Sequence, residues 1–164
     1  MTRAISFPVS AIRAARIVAC CLLVALDGCT STPQATADSD AAAKHYVTHP
    51  GYAALYVFRD EFYNRRDLDD TVLFVNDRLI GNTLPGTYYR IDVGPGEHVL
   101  SGHGQDQGKL KIRVAAEETA FVHLIVAGGV SHFRRVAPEA GKREIARCCV
   151  LMENWAPGQR PLLR

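Results

Sequence analysis

Cysteine is scarce in this chain and badly placed for cross-linking. Of five cysteines, Cys20 and Cys21 lie in an N-terminal apolar run, Cys29 follows it, and only the adjacent Cys148 and Cys149 stand in the rest of the sequence. A disulfide framework is thereby excluded, so the fold must rest on an apolar core. For the adjacent pair three readings stay open: a buried small residue beside a tolerated neighbour, a vicinal bridge, or an intermolecular bond. Long apolar runs are missing too. Ile17 to Leu26 offers only about ten residues, half of the ~20 that a membrane-spanning helix needs. Excess charge is absent beyond the N-terminus: of 19 basic and 17 acidic side chains, three arginines and one aspartate fall in residues 1–28, leaving 16 of each. That balance argues against a general nucleic-acid binder, which needs a basic surface to displace counterions from phosphates. Motifs of catalysis are also lacking. There is no Gly-x-Ser-x-Gly elbow, no Gly-Lys-Ser/Thr phosphate loop, and no close pair of cysteines or histidines at zinc-ligand spacing.

What is present at the N-terminus is an address. Arg3, Arg13 and Arg16 precede the apolar run, which closes as Leu26-Asp27-Gly28-Cys29. A basic region, a short apolar core and a small residue before the cut make a secretory signal. The last four residues resemble a bacterial lipoprotein signal, with Asp27 as the one departure. That resemblance implies cleavage between Gly28 and Cys29 and acylation of Cys29. With Thr30 next, it also implies residence at the periplasmic face of the outer membrane. An ordinary cleaved signal and a retained anchor are the alternatives.

Removal of residues 1–28 leaves material for one domain. Residues 29–44 hold no large apolar side chain before Lys44 and are expected to be a flexible tether. At up to ~3.3 Å per residue, it would hold the domain as far as ~50 Å from a membrane. Residues 45–153 are expected to be an all-β domain, a single antiparallel sandwich of about seven strands. Candidate strands are Ala53 to Arg59, Thr71 to Asn76, Gly86 to Val93, Glu97 to Gly102, Lys109 to Ala115, Thr119 to Ala127 and Ser131 to Val136. Tyr89, Ile91 and Val93 alternate with Arg90 and Asp92, and Leu110, Ile112 and Val114 with Lys109, Lys111 and Arg113, as half-buried strands require. Asn76-Asp77 and Gly94-Pro95-Gly96 read as turns. Glu139 to Arg147 reads as one short helix behind Pro138, and residues 154–164 as an irregular tail. Charge is uneven along the domain: residues 131–164 carry seven basic side chains against Glu139, Glu144 and Glu153, a surface for anionic headgroups or an acidic partner.

Three stretches then carry a family likeness: Ala53-Ala54-Leu55-Tyr56-Val57-Phe58-Arg59, the hairpin Leu73-Phe74-Val75-Asn76-Asp77-Arg78-Leu79-Ile80-Gly81, and the segment from Gly86-Thr87-Tyr88 to Pro95-Gly96-Glu97-His98. Their order resembles the small bacterial lipoproteins catalogued as domain of unknown function 2846, over about Ala53 to Val150. The hairpin and the Pro-Gly-Glu-His turn are also similar to PEGA modules of the cell envelope. Both resemblances imply an immunoglobulin-like sandwich, and neither implies an activity, a cofactor or catalytic residues.

The functional expectation is a lipid-anchored, non-catalytic binding or scaffolding module, held to the membrane through Cys29 and offering a strand edge to an envelope protein. A rival is glycan binding, with Tyr52, Tyr56 and Tyr63 as a stacking platform for peptidoglycan; the competing reading packs Tyr56 or Phe58 in the core. A third is a small metal or hydrolase site around His98, His103 and His123, with Ser101 and Ser131 nearby in sequence. The spacing of these histidines matches no ligand pattern, so no metal and no cofactor are expected.

Overall fold

The computed structural model describes residues 33–61, 71–102, 108–127 and 130–154. The leader, Gly28, Cys29 and the tail beyond Asn154 lie outside the described residues, as do Tyr63 and His103. The chain folds as a two-sheet β-sandwich with helices against one outer face. Its elements are α1 (Ala37–Ala43), β1 (Ala53–Arg59), β2 (Thr71–Val75), β3 (Arg78–Thr83), β4 (Thr87–Val93), β5 (Gly96–Ser101), β6 (Lys109–Val114), β7 (Thr119–Ala127), β8 (Val130–Val136), α2 (Pro138–Cys148) and β9 (Val150–Leu151). One sheet runs β8-β7-β1-β4-β9 and the other β3-β2-β5-β6.

Among the described residues nine strands stand where about seven were expected. The additional pair are β3, the return arm of the Asn76-Asp77 hairpin, and the two-residue β9. Asn76 and Asp77 take φ of 51° and 61°. Two successive left-handed residues make the tight turn whose twist suits a hairpin, and Val75 accordingly faces Arg78 across it. The sandwich is also not purely antiparallel. β1 lies parallel to β7, with Val57 opposite Val122, and β4 lies parallel to β9. Such pairs join segments far apart in sequence, so no turn residue announces them.

The strand alternation sorts two cores. Leu55, Val57, Tyr89, Ile91, Val93, Ile112, Val114, Val122 and Leu124 meet between the sheets. Ala54, Tyr56, Phe58, Tyr88 and Phe121 point the other way and meet Ala43, Ile145, Cys148 and Cys149 beneath the helices. All of β1 is therefore buried, on both faces. α2 begins at Pro138, whose missing N–H costs nothing at a helix start. Its buried residues Gly141, Ile145 and Cys148 recur at helical spacing, forming one stripe toward β7.

The segment expected to be a loose tether is folded from Pro33 onward. Thr36 caps α1, its hydroxyl accepting the Ser39 N–H at 3.2 Å. Asp40 then secures the helix to the far end of the chain. Its Oδ1 accepts the Leu151 N–H at 2.9 Å, and its Oδ2 accepts from Lys44 Nζ at 2.8 Å. Lys44 Nζ also donates to the Cys149 carbonyl at 2.9 Å. Burial opposes the Asp40 charge, but hydrogen bonds led by that from Lys44 outweigh it and hold the carboxyl below its ordinary pKa. Ala43 is buried in the cluster beneath the helices, and the absence of bulky apolar residues conceals the packing in the sequence. Upstream of α1, the Ala35 N–H donates to the Leu151 carbonyl, Gln34 pairs with Met152, and the Glu153 N–H donates to the Pro33 carbonyl at 2.9 Å. The outer edge of β9 is covered in this way.

Cys148 and Cys149 are joined as a vicinal disulfide, so of the three readings the structure adopts the second. The bridge lies beneath α1 at the end of α2, with Cys149 Sγ 3.6 Å from the Arg59 carbonyl.

Candidate functional site

Among the described residues, those named from sequence do not assemble. His98 on β5 is buried in the four-stranded sheet and structurally occupied: Nε2 donates to the Gly94 carbonyl at 2.8 Å, leaving Nδ1 to accept from Asn76 Nδ2 at 2.9 Å. It ties the turn before β5 to the Asn76-Asp77 hairpin turn. His123 stands on β7, in the other sheet. Ser131 is fully buried and hydrogen-bonded to the Thr71 hydroxyl at 3.0 Å, and Ser101 is likewise buried. Of the proposed tyrosine platform, Tyr56 is 0% exposed. Its ring is stacked with Phe121 and Tyr88 and met edge-on by Tyr46, and its hydroxyl donates to the Ala43 carbonyl at 2.7 Å. A sugar cannot reach that face. Burial pushes the phenol up to about 12. Tyr52 remains half-buried, alone of its set at the described surface.

A polar cavity of about 510 Å³ does form where β1, β7, β8 and α2 converge, around His123. The parallel register places Phe58 beside His123, and their rings stack at 4.9 Å. Asp60, one residue past the end of β1, puts Oδ2 3.3 Å from His123 Nε2. Arg134, opposite His123 on β8, brings Nη2 to 3.5 Å from Nδ1. An arginine can only donate, so Nδ1 accepts and the imidazole proton is assigned to Nε2. Although Nε2 is close to Asp60, it lacks an aligned hydrogen bond. Glu144 and Arg147 line the α2 side and pair with each other at 2.6 Å, while Val136 and Ala140 supply apolar wall. The cavity thus offers both signs of charge, an aromatic ring and a neutral imidazole, which suits a small polar or zwitterionic group. Among the described residues no cluster of three or more His, Cys, Asp or Glu is placed to hold a metal. Sequence reasoning had singled out His123 but not its partners, since Asp60, Arg134 and Glu144 come from three other elements. The one available signal was Arg59-Asp60 closing a strand that runs into charged sequence.

Burial lowers the His123 pKa, and the Asp60 carboxylate opposes this without cancelling it. The unfolded chain, with an ordinary imidazole near 6.5, therefore takes up the proton first as pH falls. Stability due to this group is complete above about pH 6.5 and declines as the pH is lowered toward the folded-state pKa. Melting temperatures measured from pH 7.5 to 5.5 should fall for the wild type and fall less for His123→Phe. Parallel curves would show that His123 is not the group responsible.

A second cleft, about 460 Å³, lies beside α1 and the last described residues. Arg90 on β4 pairs with Asp92 at 3.2 Å and donates to the Val47 carbonyl at 2.8 Å, and His49 approaches Asp92 at 3.6 Å. Asn154 Nδ2 donates to the Arg90 carbonyl at 3.0 Å, tying down the last described residue. No described helix is long and apolar enough to cross a membrane.

No protein-family model matches this chain, and no solved structure matches it. The chain is similar to an uncharacterized protein of Haemophilus influenzae, with 26% identity over 128 residues that span 74% of this chain and 75% of that protein.

Proposed function

We propose that this protein is exported, acylated on Cys29 and held at the periplasmic face of the outer membrane, where its sandwich serves as a binding or scaffolding module. The observation that carries the reading is the order Arg3, Arg13, Arg16, apolar run, Leu26-Asp27-Gly28-Cys29. Two structural features support it. The Cys148–Cys149 bridge belongs to an oxidising compartment such as the periplasm. The β3 edge and its exposed Leu79 present a strand to which a partner segment can add, and the His123 cavity supplies a separate polar contact.

Cells fed labelled palmitate should mark the wild-type protein and leave Cys29→Ala unmarked. Equal labelling of the two, or a mature protein recovered with a free Cys29 thiol, would refute the anchor. For the module, crosslinking in intact cells should capture an envelope protein that is lost when Leu79 becomes Arg. Capture that is indifferent to the substitution would move the interface away from β3.

A further inference from the structure

α2 roofs only part of the sheet face beneath it. Gly141 lies against the Phe121 ring, but two residues further along β7 the next cross-strand row opens into the cavity of about 510 Å³. Phe58 of β1, His123 of β7 and Arg134 of β8 stand in register across that row, so their side chains leave the sheet on one face. Asp60, just past the end of β1, joins the row at His123.

Two carboxylates and two guanidinium groups line the cavity. Glu144 and Arg147 neutralise each other by pairing along α2 at 2.6 Å. Asp60 and Arg134 do not: among the described residues the polar side-chain contacts of each are with the imidazole alone, Asp60 Oδ2 at Nε2 and Arg134 Nη2 at Nδ1. Burial keeps that imidazole neutral by lowering its pKa, so one anion and one cation flank an uncharged ring without an ion-pair partner. Arg134 is exposed and spends a single contact on Nδ1, which leaves N–H donors for a forked grip on a carboxylate.

We infer that this cavity is a binding site for a free α-amino acid, whose ammonium group pairs with Asp60 and whose carboxylate is gripped by Arg134 beside the stacked rings of Phe58 and His123. A single carbon joins the two charged groups of such a ligand, and the two charges of the site flank a single ring, so both contacts form together. A plain carboxylate would satisfy Arg134 and be repelled by Asp60, and a plain amine would do the reverse. The stacked rings, Val136 and Ala140 keep water from one side of the site, which strengthens both charged contacts. The volume falls in the range of small-molecule sites. Ligand capture goes beyond scaffolding, and it depends neither on acylation of Cys29 nor on the β3 edge.

Saturation-transfer NMR of the purified full-length protein with each of the common amino acids in turn, at neutral pH and millimolar concentration, should find binding, and calorimetry then gives the affinity of the tightest. Its N-acetyl derivative lacks the ammonium charge and its amide lacks the carboxylate. Each should bind at least about tenfold more weakly, the loss expected for one charge-assisted contact. Asp60→Asn and Arg134→Gln remove the matching charges from the protein and should each cost at least about tenfold as well. Lys111→Gln, an exposed charge removed from the other sheet, should leave the affinity unaltered. The comparison of derivatives needs no substitution, so it decides the matter even where a variant folds poorly. Absence of binding by every amino acid would overturn the inference, as would a derivative that binds as tightly as its parent. Affinity indifferent to both Asp60→Asn and Arg134→Gln would move the ligand out of this cavity and overturn it too. None of these results touches palmitate labelling of Cys29 or crosslinking at Leu79, so the site and the anchored scaffold stand or fall separately.

Discussion

Gly141→Ala should destabilise the protein, although the same change in an unencumbered helix would stabilise it. A Cβ at position 141 would lie 2.4 Å from Cγ of Phe121 and 2.5 Å from its Cβ. Those atoms are the root of a fully buried side chain, not a flexible tip, so α2 must lift or β7 must give. Helix propensity returns about 1 kcal/mol for glycine to alanine, whereas overpacking a closed contact costs about 1–3 kcal/mol and sometimes more. The net sign is therefore unfavourable. Urea unfolding should show a lower midpoint at unchanged slope. Adding Phe121→Leu to Gly141→Ala should cost less than the two single losses together, because the pair shares one contact. A midpoint raised by Gly141→Ala would mean that α2 does not rest on β7 in this way.

Tyr56→Ala should cost still more, about 3–5 kcal/mol, as for other buried aromatics truncated to alanine. The ring joins Tyr46, Tyr88 and Phe121, and the hydroxyl ties β1 to the end of α1 through the Ala43 carbonyl. Tyr56→Phe keeps the rings and removes only that hydrogen bond, for about 1 kcal/mol. Amide exchange should then quicken in α1 before it does in the sheets. The contrast with a glycan-stacking role is direct. An exposed stacking tyrosine would leave stability unchanged on truncation and lower retention on purified peptidoglycan, and that pair of results would contradict the burial of Tyr56.

Reduction of the Cys148–Cys149 bridge bears on the α2–β9 junction and on the α1 dock through the Cys149 carbonyl, while the inter-sheet core contains neither sulfur.

Local chemistry in the sequence was enough to specify seven strands of the sandwich, all but β3 and β9 of those described. Alternation along Tyr89 to Val93 and Lys109 to Val114 fixes which side chains turn inward, because successive residues of a strand point to opposite faces. Asn76-Asp77 determines a hairpin because those residues tolerate the left-handed backbone that a two-residue turn requires. Pro138 likewise marks the start of α2, and the order of residues 3 to 29 supports the proposed address without reference to any fold. Tertiary structure alone decided the outer face of the five-stranded sheet. The sequence favours packing Tyr56 or Phe58 in the core over an exposed platform, but what covers Tyr56 is seen only once α1 and α2 are in place. α1 docks because Asp40 meets Lys44 nearby and the Leu151 N–H 111 residues away. The same holds for His123, whose Asp60, Arg134 and Glu144 neighbours arrive from separate elements. Turn and alternation signals depend on adjacent residues, whereas burial and charge pairing depend on what the rest of the chain brings alongside.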